Sequence, residues 1–382
     1  MRYNIALTIL AAIACALILT SCDTNRKVAT TATAPPALPT VPSKPKNIIL
    51  LIGDGMGITQ ISSGLYSNSN KLQLERIKTI GLHKSYSYDD LVTDSAAGAT
   101  AFACGVKTYN GAIGVDADTI AVKTILEEAE DRGLRTGLVS TSSIVHATPA
   151  SFIAHEPYRK NYEAIASDFL DTDIDFFVGG GAKFFERRDD GRNLSKELKA
   201  KGYTMSNFFE SELTDFSLTP GEKFGFLTAE DGAIPVSQGR EYFPIASKMA
   251  TTHLNADNDA GFFLMIESSQ IDWGGHANDA NYIITEMIEF DKVIGEVLDF
   301  AEADGNTLVI VTADHETGGF AINKGSELNN LQTAFTSDYH TADLIPVFAY
   351  GPGAEAFAGI YENTAIYTKM MKAFGWPSTP RD

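Results

Sequence analysis

Five short segments hold most of the residues able to do chemistry: Ile52-Gly-Asp-Gly-Met-Gly57, Thr93-Asp-Ser-Ala-Ala97, Glu267 with Ile271-Asp-Trp-Gly-Gly-His276, Asp314-His315-Glu316-Thr317, and His340-Thr-Ala-Asp343. They offer carboxylates, imidazoles and one well-placed hydroxyl, that of Ser95. Mixed imidazole and carboxylate ligands suit Zn2+, whereas all-oxygen sets suit Mg2+. Two such ions about 4 Å apart can clamp the attacking and leaving oxygens of an in-line displacement. A serine hydroxyl is a poor nucleophile at its own pKa and needs such a neighbour. Singly, each piece has a bland reading: Gly53-Asp54-Gly55 as a tight turn, Asp94-Ser95 before a small-residue run as a helix N-cap. Their combination points to a multi-metal hydrolytic site.

The elements that must position these residues are apolar runs of strand length at 47–52, 134–140, 174–178, 262–266, 307–312 and 345–350. Uninterrupted apolar character marks strands covered on both faces, as in a mainly parallel sheet. Between them lie stretches read as helical, at 119–132 and at 281–303, where Ile283, Ile284, Met287, Phe290, Ile294, Val297 and Leu298 recur at helical spacing. The alternation predicts a doubly wound α/β domain, a three-layer α/β/α sandwich with a mainly parallel central sheet. Ligands of open α/β sheets sit beyond the carboxyl ends of the strands. Asp54, Glu267 and the pair Asp314-His315 each sit at or just beyond such an end. Residues 181–245 break the pattern and read as a peripheral insertion.

With 382 residues and 44% hydrophobic content the chain can bury a large core. A formal charge of −19 sets it against nucleic acid as a partner. Residues 1–22 read as an export signal, with Arg2, an apolar run over 5–19, and a lipobox-like Leu19-Thr20-Ser21-Cys22. A lipidated Cys22 would tether the chain in the cell envelope, at a periplasmic or outer surface. Residues 23–46, rich in Thr, Ala and Pro, read as a flexible spacer, and 47–382 as the catalytic domain. Cys104 is left alone in that domain, so no intrachain disulfide can form there, and it reads as a small buried apolar residue.

The segments Gly53-Asp54-Gly55, Val92-Thr-Asp-Ser95-Ala, Gly105-Val-Lys-Thr-Tyr109, Ala147-Thr148-Pro149-Ala150, Arg159, Glu267, 272–276, Thr312-Ala-Asp314-His315-Glu316 and His340-Thr resemble those of bacterial alkaline phosphatases, most of all the compact cold-active members. The resemblance implies two zinc ions, one held by Asp272, His276 and His340, the other by Asp54, Asp314 and His315. It implies a magnesium ion on Thr148, Glu267 and the other oxygen of Asp54. It makes Ser95 the nucleophile of a phosphoserine pathway, Arg159 the grip on phosphate, phosphate monoesters the substrates, and a homodimer the assembly. Two positions depart from the enterobacterial pattern: His146 replaces an aspartate, and Trp273 a lysine. His146 brings zinc or cobalt into question at the third site, and Trp273 removes a positive neighbour of phosphate. A phosphodiesterase or sulfatase of the same superfamily, and a non-catalytic phosphate- or metal-binding lipoprotein, are the rival readings. His83, His155 and His253 fit no motif and read as structural.

Overall fold

The computed structural model of the chain describes residues 44–377. The expected signal at 1–22 and almost all of the expected spacer lie outside them. The first strand, β1 (Asn47–Gly53), has all seven residues buried. Its side chains alternate between two cores, as strand geometry requires. Ile48, Leu50 and Ile52 join a cluster with Phe102, Phe152, Ile165 and Tyr367. Ile49 and Leu51 join another with Phe243, Met287, Phe290 and Val297. Burying each such aliphatic side chain contributes about 1.5–3 kcal/mol, so β1 is covered on both faces because both faces are apolar.

The other strands are β2 (Thr79–Lys84), β3 (Arg135–Ser143), β4 (Phe176–Gly180), β5 (Thr204–Asn207), β6 (Phe224–Leu227), β7 (Phe262–Ser268), β8 (Thr307–Thr312), β9 (Glu316–Thr317), β10 (Ala321–Ile322), β11 (Thr333–Ala334), β12 (His340–Thr341), β13 (Leu344–Tyr350) and β14 (Gly359–Glu362). Ten of them form one sheet in the order β14-β2-β13-β8-β1-β7-β3-β4-β6-β5. Only β13 runs against its neighbours, antiparallel to both β2 and β8. The helices are α1 (Ile58–Ser67), α2 (Ser95–Cys104), α3 (Ile125–Glu130), α4 (Ala147–Ala150), α5 (Tyr162–Asp168), α6 (Ala182–Glu186), α7 (Leu194–Ala200), α8 (Tyr242–Asn255), α9 (Gln270–His276), α10 (Ala280–Asp304) and α11 (Ala365–Phe374). The first core takes side chains from α2 to α7 and α11, the second from α8, α9 and α10. The architecture is the expected α/β/α sandwich.

Local rules set the helix ends. Asp279 accepts hydrogen bonds from the amides of Asn281 and Tyr282 at the start of α10, and Gly305 closes that helix with a left-handed φ of 70°. The helix expected over 119–132 is confined to α3, where Thr124 and Glu127 form a capping box. The residues before it are held in a loop with Thr119 at a φ of 63°. Residues 181–245 contain α6, α7 and the start of α8, and they lengthen the sheet: β6 pairs parallel to β4, and β5 to β6. Cys104 is buried in α2, its thiol donating to the Val122 carbonyl.

Candidate active site

The carboxyl edge of the sheet gathers the five segments. Asp54 follows β1, Glu267 sits in the last turn of β7, Asp314 and His315 follow β8, and His340 opens β12 just ahead of the reversed strand β13. Gly55 has a φ of +73°, and a Cβ there would lie 2.7 Å from both the Asp272 Cα and the Thr317 Oγ1. Only glycine therefore lets the turn after β1 press against α9 and bring Asp54 beside Asp272.

Two imidazoles are aimed from behind. His276 Nδ1 pairs with the Asp338 carbonyl at 2.7 Å, and His340 Nδ1 with the Thr93 carbonyl at 2.8 Å. A carbonyl only accepts, so each Nδ1 carries a proton, which leaves each Nε2 as the ring nitrogen turned toward a ligand position. Those two Nε2 atoms face each other at 3.2 Å, with Asp272 Oδ1 at 3.4 and 3.6 Å from them. His315 Nε2 lies 3.5 Å from Asp54 Oδ1, 3.4 Å from Asp314 Oδ2 and 3.4 Å from Ser95 Oγ. Ligand atoms of Asp272, His276 and His340 fall within 4.8 Å of one another, and so do those of Asp54, Asp272 and His315. Asp272 thus belongs to both groups, where the resemblance gives it to one. Asp314 borders the second group through Oδ2, while its Oδ1 accepts from the amides of Gly55 and His315.

The third predicted set sits deeper. Glu267 is buried and flanked by the hydroxyls of Ser140, Ser142 and Thr148. Both oxygens of Asp54, Glu267 Oε1 and Asp314 Oδ2 are buried without a hydrogen bond. Burial, and then the charges of Asp314, Asp272 and Glu267, drive the Asp54 carboxyl far above the usual range. Burial, and then Asp272, push Asp314 up to about 7. Burial holds His315 well below its ordinary value, with His340 and His276 adding to the effect, and it lowers His340 as well. Packed carboxylates with orphaned oxygens, facing neutral imidazoles with converging lone pairs, are a donor set that fits divalent cations.

In front of these groups lies a cleft of about 450 Å³ whose walls include Ser95, His146, Arg159, Trp273, Tyr339 and His340. Ser95 is the first residue of α2, and its side chain is almost wholly buried. Asp94 caps that helix through the Ala97 amide, and its other oxygen accepts from Arg159 at 2.8 Å. His146 and Trp273 meet edge to face at 6.3 Å. Every predicted site residue is therefore in the cleft wall or directly behind it. Asp343, in the last of the opening segments, takes no part; it is exposed.

Several contributors escaped the sequence reading. Thr317 Oγ1 donates to Asp272 Oδ1, and Tyr339 stacks on His340 at 4.4 Å with 6° between the rings. Gln60 Nε2 and the Thr341 hydroxyl hold Glu316. Asp94 showed itself only as a cap. His83, His155 and His253 bind the carbonyls of Ala313, Gly114 and Glu222 away from the cleft.

Carboxylate and imidazole groups at a sheet edge, a serine at a helix N-terminus and a guanidinium in one cleft define a metal-dependent hydrolase of anionic esters. The family model for alkaline phosphatase matches residues 45–334. Alkaline phosphatase 3 of Bacillus subtilis (strain 168) is 36% identical, over 86% of this chain and 88% of the relative. The solved alkaline phosphatase of the Antarctic bacterium TAB5 shares 47% identity at a TM-score of 0.81, covering 88% of this chain and 99% of that one. A variant of it with one histidine changed to aspartate carries Mg in its M3 site, at 46% identity, TM-score 0.82 and the same coverage. The chain belongs to the alkaline phosphatase family and is a metal-binding hydrolase of phosphate monoesters.

Proposed function

We propose that hydrolysis proceeds through a phosphoserine on Ser95. The observation that carries this reading is the placement of Ser95 Oγ: in the cleft with Arg159, at the N-terminus of a ten-residue helix, and 3.4 Å from His315 Nε2. Asp272, His276 and His340 would hold one zinc ion, Asp54, Asp314 and His315 the second, and Thr148, Glu267 and Asp54 a magnesium ion. Bound there, such ions neutralise the carboxylates, lower the pKa of a ligated hydroxyl or water, and accept charge developing on phosphate oxygens.

Ser95 Oγ attacks phosphorus, forming the Ser95 O–P bond as the ester O–P bond breaks and the alcohol leaves with a proton. Water then attacks phosphorus from the opposite side, the Ser95 O–P bond breaks as a proton from that water passes to Ser95 Oγ, and inorganic phosphate departs. The positive end of α2, which begins at Ser95, favours the substrate's negative charge. Arg159, steadied by Asp94, presents parallel donors to two nonbridging oxygens. Neutral His315 and His340 retain their lone pairs for ligation rather than adding charge of their own.

His146 stands at the N-terminus of α4, two residues before Thr148, and its buried Nδ1 lacks a hydrogen bond. Burial, then the Arg159 charge, lowers its pKa, so the ring is neutral and able to ligate. We place zinc or cobalt as competitors of magnesium at the third site on this ground, and the TAB5 variant with Mg in its M3 site supports it.

The wider setting follows the sequence: export on residues 1–22, a lipid on Cys22, a tether over 23–46 leading into the domain at 47–382, residence in the cell envelope, and a homodimer. Labelled palmitate appearing on the wild type and missing from Cys22→Ser tests the anchor. The central experiment is acid quenching with a monoester bearing labelled phosphate. The wild type retains label on protein, Ser95→Ala retains none and loses turnover, and a phosphate diester is a poor substrate for both. Wild-type turnover by Ser95→Ala overturns the proposal, and elemental analysis of the active protein tests the zinc and magnesium assignment.

A further inference from the structure

The connection between β6 and α8, residues 228–241, is held at both ends and touches the cleft wall in its middle. At its start, the amides of Gly181 and Ala182 both donate to the Ala229 carbonyl at 3.0 Å, and the Lys183 amide to Glu230 O at 3.1 Å. At its end, the buried Arg240 pairs with Glu286 and Glu289 of α10 and donates to the Ile234 carbonyl. Glu286 also accepts from the Val236 amide at 2.9 Å. Removing one member of such a buried ion cluster strands a charge in the interior, so the register of this strap on α10 is fixed.

Between the anchors, the strap meets α9, the helix that carries Asp272 and His276. Gln270 Nε2 donates to the Ala233 carbonyl at 2.9 Å. A Cβ at Gly232 would come 2.5 Å from Cη2 and 3.2 Å from Cζ3 of Trp273. The strap has no room to withdraw near that contact, because a Cβ on Gly180 would lie 1.8 Å from the Asp231 carbonyl oxygen. Gly232 is not among the glycines at positive φ. Space, and not backbone conformation, therefore demands glycine there.

We propose that the strap is the positioning element for Trp273: bare backbone at Gly232, locked by the Arg240 cluster, sets how far the indole stands into the cleft and hence how tightly phosphate is held. Trp273 acts on the anion, and Gly232 acts only through Trp273. The proposal rests on the reading of the cleft as the phosphate site.

Gly232→Ala isolates the contact. Inorganic phosphate is the probe, as an inhibitor of monoester hydrolysis by the metal-loaded enzyme. Emission of Trp273 is followed in a Trp376→Phe background, which leaves one tryptophan. The added methyl drives the indole toward the cleft, so the inhibition constant rises at least fivefold and the emission shifts. In a Trp273→Ala background the same methyl has no further effect on phosphate, the non-additivity expected of residues in contact. An effect equally large without the indole, or no change in either reading, overturns the proposal. Should Gly232→Ala alone not fold, recovery on adding Trp273→Ala carries the same coupling, and failure to recover refutes it. If the wild type fails to hydrolyse monoesters, the functional reading falls, while the emission of Trp273 still decides the strap.

Discussion

Asp314→Asn, studied with the metals chelated, separates the cost of burying carboxylates from their use as ligands. Asp314 is fully buried, and its pKa is pushed from 3.8 up to about 7, by burial first and by Asp272 next. A raised carboxyl pKa means that the native state binds the proton more tightly than the unfolded chain. Stability is then whole below the unfolded value near 4 and is lost as pH climbs toward 7. At about 1.4 kcal/mol per pKa unit, the charge at Asp314 costs about 2 kcal/mol at pH 5 and about 4 kcal/mol above pH 7. Asparagine keeps the shape and the oxygen that accepts from Gly55 and His315. The chelated variant is therefore more stable than the chelated wild type by those amounts, and the low pKa values of His315 and His340 largely cancel in the difference. Urea midpoints between pH 5 and 8, with chelator and with restored metals, measure it. Restored metals reverse the order, because the variant has lost a ligand. A chelated variant less stable than the wild type at pH 8, or a difference that does not grow with pH, refutes the argument that these carboxylates are assembled for cations.

Three further outcomes follow. Arg159→Lys removes the planar pair of donors while keeping charge beside Asp94, so inhibition by inorganic phosphate weakens roughly 10- to 100-fold, about 1.4–2.8 kcal/mol, in steady-state kinetics. His146→Asp supplies an anionic oxygen ahead of Thr148 and increases activation by added magnesium; an unchanged metal preference speaks against His146 at the third site. His83 is fully buried with its pKa lowered to about 4 by burial. Its native state thus binds fewer protons than the unfolded chain between about pH 4 and 6.5, and stability drops by about 3 kcal/mol as pH falls through that window. His83→Gln moves the acid-unfolding midpoint downward in a circular-dichroism titration.

The fold was legible wherever a strand is buried on both faces, since β1, β7 and β8 are continuous apolar runs. It was least legible at the sheet's outer edge. The strands β5 and β6 have four residues each, too short to show a period, and between 119 and 124 turn chemistry outweighed apparent helical spacing. In the site, residue types marked the candidate ligands, because few structural roles demand Asp, His and Glu at successive strand ends. What aims those ligands left little trace. The imidazoles are oriented by the carbonyls of Thr93 and Asp338, which any residue could supply, and Glu267 is held by serines unremarkable in sequence. The partnership of Asp94 with Arg159 spans 65 positions and hides behind a local capping role that is equally real.

Charge explains why the edge of the sheet alone does not complete the site. Asp54, Asp272, Asp314 and Glu267 are buried together, and the cleft's side-chain cations are Arg159, already paired with Asp94, and Lys160 on the surface. The histidines bring no compensation, since burial keeps His315 and His340 neutral. Trp273, where the enterobacterial pattern has a lysine, adds no positive charge. A phosphate dianion entering so acidic a pocket is repelled until divalent ions reverse the local sign. On the proposed ligand assignment, metal loading would govern stability and substrate binding through the same carboxylates. A substitution that eases the metal-free fold, as Asp314→Asn does, has to weaken the loaded enzyme's hold on its substrate.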